Sequence, residues 1–164
     1  MARGATKARG NVWCEARLEA AKTDQRLLTR QGAAERVNMS VNAISDTELG
    51  LEKCMPVDKA IILADAYGAP HLLNYYCLHE CPIGRTMPIS DEVNDIDRIT
   101  VKLLKSLKVD DLEDIKDKLI DIAEDGYISE DEKPDLQEVM EYLDKLSKTV
   151  SELRILSQRV LREE

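Results

Sequence analysis

The sequence predicts an all-α protein, and three features of its 164 residues carry that prediction. Aromatic residues make up only 4% and Phe is absent, so the side chains that favour pleated sheets are scarce. Apolar residues recur at intervals of three and four over long stretches and almost nowhere alternate with polar ones. Residues suited to helix ends, such as Thr29, Ser40 and Gly50, stand at the borders of those stretches. No strand is expected. A hydrophobic content of 43% is enough to bury a core, either in one ordinary domain or in two small ones.

Met1 to Gly10 sets Arg3, Lys7 and Arg9 among Ala and Gly, too poor in large apolar residues to pack, and is expected to be a flexible basic tail able to touch phosphates. No secretory signal follows it and no apolar run is long enough to span a bilayer, so a cytoplasmic protein without membrane contact is expected. The first helix, about Asn11 to Lys22, turns Val12, Trp13, Ala16 and Ala20 inward. Thr23 to Leu28 leads into the stretch Thr29 to Gly50, around which the N-terminal half is organised. Thr29 caps a helix that buries Ala33, Ala34 and Val37, and Ser40 caps a second that buries Val41, Ile44 and Thr47. Asn38 lies between them and tolerates the left-handed backbone of a sharp turn, while Gly50 closes the second helix. Small side chains at Ala33 and Ala34 let the two helices cross closely, as in a helix-turn-helix or an ordinary helical hairpin. After a loop from Leu51 to Pro56, Val57 to Tyr67 reads as an amphipathic helix with Ile61, Ile62, Leu63 and Ala64 near the core. Pro70 opens a further short helix holding Leu72, Leu73, Tyr75 and Tyr76.

Pro82, Gly84 and Pro88 interrupt any helix, which places a linker at residues 81–90 and a second domain at 91–164. Within that domain Ile96, Ile99, Leu103 and Leu107 share one helical face, and Leu112, Ile115, Leu119 and Ile122 another. A last helix runs from about Glu132 to Arg162. Its apolar positions Leu136, Val139, Leu143, Leu146, Val150, Leu153 and Val160 form a 3,4 stripe, broken only at Ser157, roughly 40 Å long between Asp135 and Leu161. Met140, Leu156 and Leu161 widen the stripe, so it is expected both to pack on its own bundle and to join a second chain in a C2 homodimer. Charge is divided in the same way. Residues 1–37 hold 8 Lys/Arg against 4 Asp/Glu, whereas residues 83–164 hold 13 against 22. The net charge of −9 opposes indiscriminate binding to nucleic acid, and its distribution suits a DNA-facing end and an acidic end that meets a protein partner or only solvent.

On the residues Thr29, Arg30, Ala33-Ala34, Asn38, Ser40, Ile44, Glu48 and Gly50, the stretch resembles the helix-turn-helix of the XRE family, the bacterial and phage regulators related to the lambda and 434 repressors. The run Pro56 to Pro70 is similar to that family's fourth helix and following loop. Arg30 stands where the family usually has Gln, and Asn38 where it has Gly. The resemblance covers roughly residues 11–80 and implies a five-helix, lambda-repressor-like helix-turn-helix domain, followed here by a helical C-terminal bundle or coiled coil. It implies a sequence-specific transcriptional regulator of double-stranded DNA, of the dimeric phage or mobile-element repressor type. The positions it places against DNA are Thr29, Arg30, Ser40, Val41, Asn42, Ala43, Ser45 and Asp46. Asn42 can pair with adenine, Asp46 can accept from cytosine or repel phosphate, Arg30 can reach guanine or phosphate, and Thr29 and Ser40 can bond phosphate. Two such helices would read a palindromic site with half-sites about 34 Å apart. The family's matching Glu pairs with an Arg of the first helix, which implies that Glu48 meets Arg17 or Arg26. The alternative is a protein-binding adaptor or antagonist that uses the same fold without DNA.

Three other patterns bear on chemistry. Cys77, His79 and Cys81 offer soft ligands for zinc or an iron-sulfur cluster if Cys77 and Cys81 share a helical face and Cys14 or Cys54 joins them. The alternative is reduced thiols packed as small apolar groups. Asp121 to Glu132 has the length of an EF-hand loop, but Ala123 replaces a carboxylate at its third position. Gly126 as a helix end and Ser129 with Glu132 as a capping box are therefore the preferred explanation. The two histidines, His71 and His79, lie near no recognisable nucleophile motif and no glycine-rich phosphate loop occurs, so no enzymatic activity is expected.

Overall fold

The computed structural model describes residues 8–124 and 126–161. Among them are eight α-helices and no strand. The chain divides into two compact units, with divisions between Arg85 and Thr86 and between Gln158 and Arg159, so that the chain after Gln158 groups with the first unit. No helix among the described residues is long and apolar enough to cross a membrane.

The first unit contains α1 (Val12–Ala20), α2 (Arg30–Val37), α3 (Val41–Leu49), α4 (Val57–Ala66) and α5 (His71–His79), with a 3-10 turn at Gln25–Leu28. Local chemistry sets most of these boundaries. Asn11 caps α1 by accepting from the backbone of Trp13 and Cys14, and Thr29 caps α2 by accepting from Gly32. Asn38 takes the left-handed conformation (φ 54°, ψ 46°) and Ser40 caps α3 through Ala43. Gly50 ends α3 at φ 64°, and the Leu51 N–H closes the end on Asp46 O at 2.9 Å. The core joins Trp13, Leu27, Ala33, Ala34, Ile44, Leu63, Tyr67 and Leu72, with Met55 of the intervening loop also buried.

Small side chains at the centre of α2 let its neighbours approach closely. Ala33 and Ala34 are almost wholly buried, and α2 touches both α3 and the 3-10 turn. Gly32 is the tightest point: a β-carbon there would lie 2.0 Å from the backbone oxygen of Arg26. Gly84 meets the backbone of Cys77 in a comparable way, its virtual β-carbon falling 2.3 Å from the Cys77 oxygen.

Several apolar residues expected inside are outside. Val41 is 44% exposed although it shares a helical face with Ile44. Helical side chains lean toward the N-terminus, so a first-turn residue overhangs the end of the covered face. Ile61 and Ile62 are also exposed, because α4 buries Ala60, Leu63 and Ala64 with Tyr67 following. That set follows the helical period, which turns the two isoleucines away. In α5 Leu72 is buried and Leu73 is exposed. Ala8 is buried and its oxygen accepts from the Asn11 N–H, so the expected flexible tail does not extend through residues 8–10. Its methyl is small enough to lie against the start of α1. Residues 1–7, where the rest of that tail was expected, lie outside the described residues.

The second unit contains α6 (Ile96–Ser106), α7 (Val109–Ala123) and, as far as Gln158, α8 (Lys133–Val160). Ile99, Ile115, Ile122, Val139 and Ile155 form its buried apolar set. The expected faces are only partly covered: Ile96, Leu107, Leu112 and Leu119 are exposed, since three helices leave the outer flank of each stripe without a neighbour. The long stripe of α8 is divided likewise. Val139 is buried, Leu136, Leu146 and Leu153 are half-buried, and Leu143, Val150 and Val160 are exposed.

Polar contacts tie this unit together. Glu152 is 4% exposed and accepts from Lys102 Nζ (2.8 Å) and Asn94 Nδ2 (2.9 Å). Lys102 also reaches Glu92 at 2.9 Å, and the Ser90 N–H donates to Ser151 Oγ at 2.7 Å. The segment before α6 is thereby bound to α8. Burial pulls the Lys102 ammonium down, but its bonds to Glu152 and Glu92 outweigh that and hold it above its ordinary range. Tyr142 donates to the Ser106 carbonyl, and Lys118 of α7 pairs with Glu138 of α8 at 2.5 Å. In the Asp121 to Glu132 stretch, Gly126 has φ 72° and the Ser129 N–H donates to Glu132 Oε2 at 2.7 Å, one half of a capping box. Asp125, which would supply the fifth position of a calcium loop, lies outside the described residues.

Gly32 yields a direct test. At an unstrained helical site, replacing Gly by Ala stabilises by about 0.4–1 kcal/mol. Here Gly32→Ala should instead cost about 1–3 kcal/mol through overpacking against the 3-10 turn. Chemical denaturation showing a gain in stability would mean that the turn can move away freely.

Candidate nucleic-acid interface

The α2–α3 pair presents one end of α3 to solvent and anchors the other. Ser40, Val41 and Asn42 are exposed, and Ala43, Ser45 and Asp46 are half-buried. Ile44, Thr47 and Glu48 are buried on the opposite side. The helical period of α3 and the tight turn at Asn38 produce this division. The Asn42 amide engages no partner among the described residues, so both its donor and its acceptor face solvent. Thr29 and Arg30 lie at the N-terminal end of α2, with Thr29 exposed.

Behind α3 lies a buried carboxylate held by two arginines. Glu48 is 2% exposed, and its Oε1 accepts from Arg17 Nε at 2.5 Å. Its Oε2 accepts from Arg17 Nη2 at 3.2 Å and from Arg30 Nε at 2.7 Å. Arg17 spends its remaining Nη1 donors on the carbonyls of Leu27 (2.8 Å) and Leu28 (3.1 Å). One guanidinium therefore joins α1, the 3-10 turn and α3. Burial pushes the Glu48 carboxyl up, but the bonds and charges of Arg17 and Arg30 outweigh it and hold Glu48 below its usual range. Burial lowers Arg17, and Glu48 more than restores it. Beside them the Cys14 thiol is pushed up, first by burial and then by Glu48.

Of the two expected partners Glu48 meets Arg17, and the structure adds a third member to the pair. Arg26 does not reach Glu48; it folds back on Asp24, with its Nε and Nη2 at 2.9 and 2.7 Å from the carboxylate, because the 3-10 turn that Asp24 caps keeps the two side chains together. Arg30 supplies the second cation instead. It also donates from Nη1 to Ser45 Oγ at 3.3 Å, which leaves Nη2 without a partner among the described residues.

A second brace holds the C-terminal half of α3, and nothing in the sequence pattern signalled it. Lys59 is 6% exposed and reaches Glu52 at 2.6 Å and the Ala43 carbonyl at 2.8 Å. Thr47 Oγ1 lies 2.8 Å from Glu52 Oε2, and Asn11 Nδ2 donates to the Thr47 carbonyl at 3.2 Å.

Comparisons with family models, with curated proteins and with solved structures find no match.

Cys77 and Cys81 do not keep the shared helical face that their spacing predicts. Helix α5 ends at His79, and the N–H groups of Glu80 and Cys81 both converge on the Tyr76 carbonyl at 2.9 and 3.0 Å. Cys81 is therefore outside the helix and does not share a helical face with Cys77, because Pro82 cannot continue the turn and the chain closes early. His79 packs its ring 4.3 Å from that of Tyr75. Burial raises the Cys77 thiol, with Cys81 adding to the shift. Cys14 is buried and Cys54 exposed. Among the described residues no group of three or more His, Cys, Asp or Glu is placed to hold a metal ion.

Glu48 has a pH signature. Its folded pKa is depressed, so its contribution to stability is complete above the unfolded carboxyl pKa near about 4.3 and is lost as pH falls through the lower folded value. Glu48→Gln should cost about 3–5 kcal/mol near neutral pH by leaving Arg17 buried without its partner. The gap between wild type and variant should stay constant down to about pH 5 and close below about pH 4. A gap that persists unchanged into acid would show that the carboxylate charge contributes nothing.

Proposed function

We infer that the first unit is a lambda-repressor-like DNA-binding domain of the XRE type, with α2 and α3 as its helix-turn-helix and α3 as the recognition helix. The chain would act as a sequence-specific regulator of transcription, a dimeric repressor of the phage or mobile-element type. The observation that carries this reading is the division of α3: Ile44, Thr47 and Glu48 anchor it from behind, while Ser40, Val41 and an unpartnered Asn42 face outward at its N-terminal end. A helix of this kind fits the major groove, and an Asn amide pairs with both polar atoms of adenine. Val41 would meet a thymine methyl, which gives its exposure a purpose. Thr29, Ser40 and the free edge of Arg30 would take phosphates, leaving Ala43, Ser45 and Asp46 to set the fit against bases.

The acidic second unit would bring two recognition helices together. Leu143 and Val150 on α8 are exposed on a helix whose other side already packs within the unit, and Met140 lies 49% exposed on the turn before Leu143. A second copy of the same stripe would cover them about a two-fold axis.

Asp46 at the α3 surface supports the adaptor reading, because a carboxylate there repels phosphate unless it meets a cytosine amino group. Selection of bound duplexes from a random pool separates the two. The DNA reading predicts an enriched palindromic sequence, with Asn42→Ala weakening its retention by about 1–3 kcal/mol. Recovery of no preferred duplex would favour the adaptor. For the assembly, light scattering should find a dimer that Leu143→Glu with Val150→Glu converts to a monomer. A wild-type monomer at micromolar concentration would contradict the dimer.

A further inference from the structure

We propose that the second unit binds a small organic anion, a carboxylate or phosphate carried on an apolar body, in a cavity between α6 and α8 that is lined by two facing pairs of lysines. The site is independent of the DNA-binding reading. Lys102 and Lys105 come from α6, Lys145 and Lys148 from α8, and the cavity they line has a volume of about 470 Å³. That size suits a small ligand.

The two walls have the same construction. Lys102-Leu-Leu-Lys105-Ser106 on α6 and Lys145-Leu-Ser-Lys148-Thr149 on α8 each set two lysines three residues apart, followed at once by a hydroxyl. Residues at that spacing share a helix face, so each helix turns both ammonium groups to one side. Ser106 and Thr149 are each 4% exposed and line the same space. Their hydroxyls donate to the carbonyls of Lys102 (3.0 Å) and Lys145 (3.1 Å), which leaves oxygen lone pairs but no donor, so the cations alone must meet an anion.

One lysine is already neutralised and three are not. Lys102 is held by Glu152 and Glu92. Lys105, Lys145 and Lys148 make no ion pair among the described residues. That is unexpected for the two on α8, since Glu141 and Asp144 stand four residues before Lys145 and Lys148, the favourable order for pairing along a helix. Glu141 instead accepts from Gln137 at 2.9 Å, although both carboxylates border the cavity. Lys105 lies in the last turn of α6, where the helix dipole favours a cation, but Lys145 and Lys148 lie mid-helix and have no such support. Lysine stems provide apolar walls for the body of a ligand, and their compact ammonium tips meet carboxylate or phosphate oxygens as point charges. The acidic border excludes longer polyanions such as nucleic acid.

Benzene-1,3,5-tricarboxylate and phenyl phosphate serve as probes, titrated separately into the full chain at constant ionic strength and followed by NMR of backbone amides. At least one should bind saturably with a Kd below about 10 mM, or about −2.7 kcal/mol, moving amides of α6 and α8 around the four lysines. The tighter probe tells carboxylate from phosphate. Lys105→Ala with Lys148→Ala should weaken it at least tenfold while melting as wild type does, because both side chains are exposed. Lys116→Ala, on the exposed side of α7, should leave it unchanged. Absence of saturable binding by either probe, or equal loss in the Lys116 variant, would overturn the site.

Discussion

The first unit depends on a single buried carboxylate. Glu48 lies 31 residues beyond Arg17 in sequence, yet the two side chains meet in a fork-to-fork pair whose remaining donors fix the 3-10 turn. A buried ion pair of this kind adds little net stability, because removing both charges from water costs about as much as their attraction returns. Its effect is geometric. Guanidinium and carboxylate have one good relative orientation, so the pair sets where α3 lies against α1 and the direction its exposed end faces. Arg30 adds a third member and fixes the start of α2 to the same oxygen.

Around that pair the backbone is arranged by short-range devices. Thr29 and Ser40 start their helices, Asn38 reverses the chain and Gly50 stops it, each through bonds within a few residues. Gly32 and the Ala33-Ala34 pair then permit the close approach that brings Arg30 within reach of Glu48. The brace of Lys59, Glu52 and Thr47 holds the opposite end of α3. The exposed end of α3 is thereby pre-organised, which suits the proposed recognition role because its outward residues would not need to order themselves on binding.

The caps and turns of this region were legible in the sequence because each depends on residues within four positions of one another. The second cation on Glu48 was not, since Arg26 lies within the 3-10 turn and Arg30 just beyond it, and the pattern alone does not tell which folds back on Asp24. The run Ile61 to Ala64 offered four apolar residues to a helix face wide enough for two, and the structure chooses Leu63 and Ala64. Cys77 and Cys81 have helical spacing, but the chain leaves the helix before the second is reached. In the second unit, periodicity marked the helices correctly and overestimated how much of each stripe three helices can cover. The facing Lys-x-x-Lys pairs carry meaning only once α6 and α8 are brought together, which no local pattern reveals.

The proposed division of labour, in which a buried carboxylate orients α3 and its exposed end would bind, rests on the Arg17–Glu48 pair behaving as a coupled unit. A double-mutant cycle measures this directly: denaturant unfolding of Arg17→Met, Glu48→Met and the combined variant. Each single change should cost about 3–5 kcal/mol, because each leaves one charge buried and alone, while the combined change should cost far less than their sum. Additive losses would contradict the account and show that the two side chains act separately.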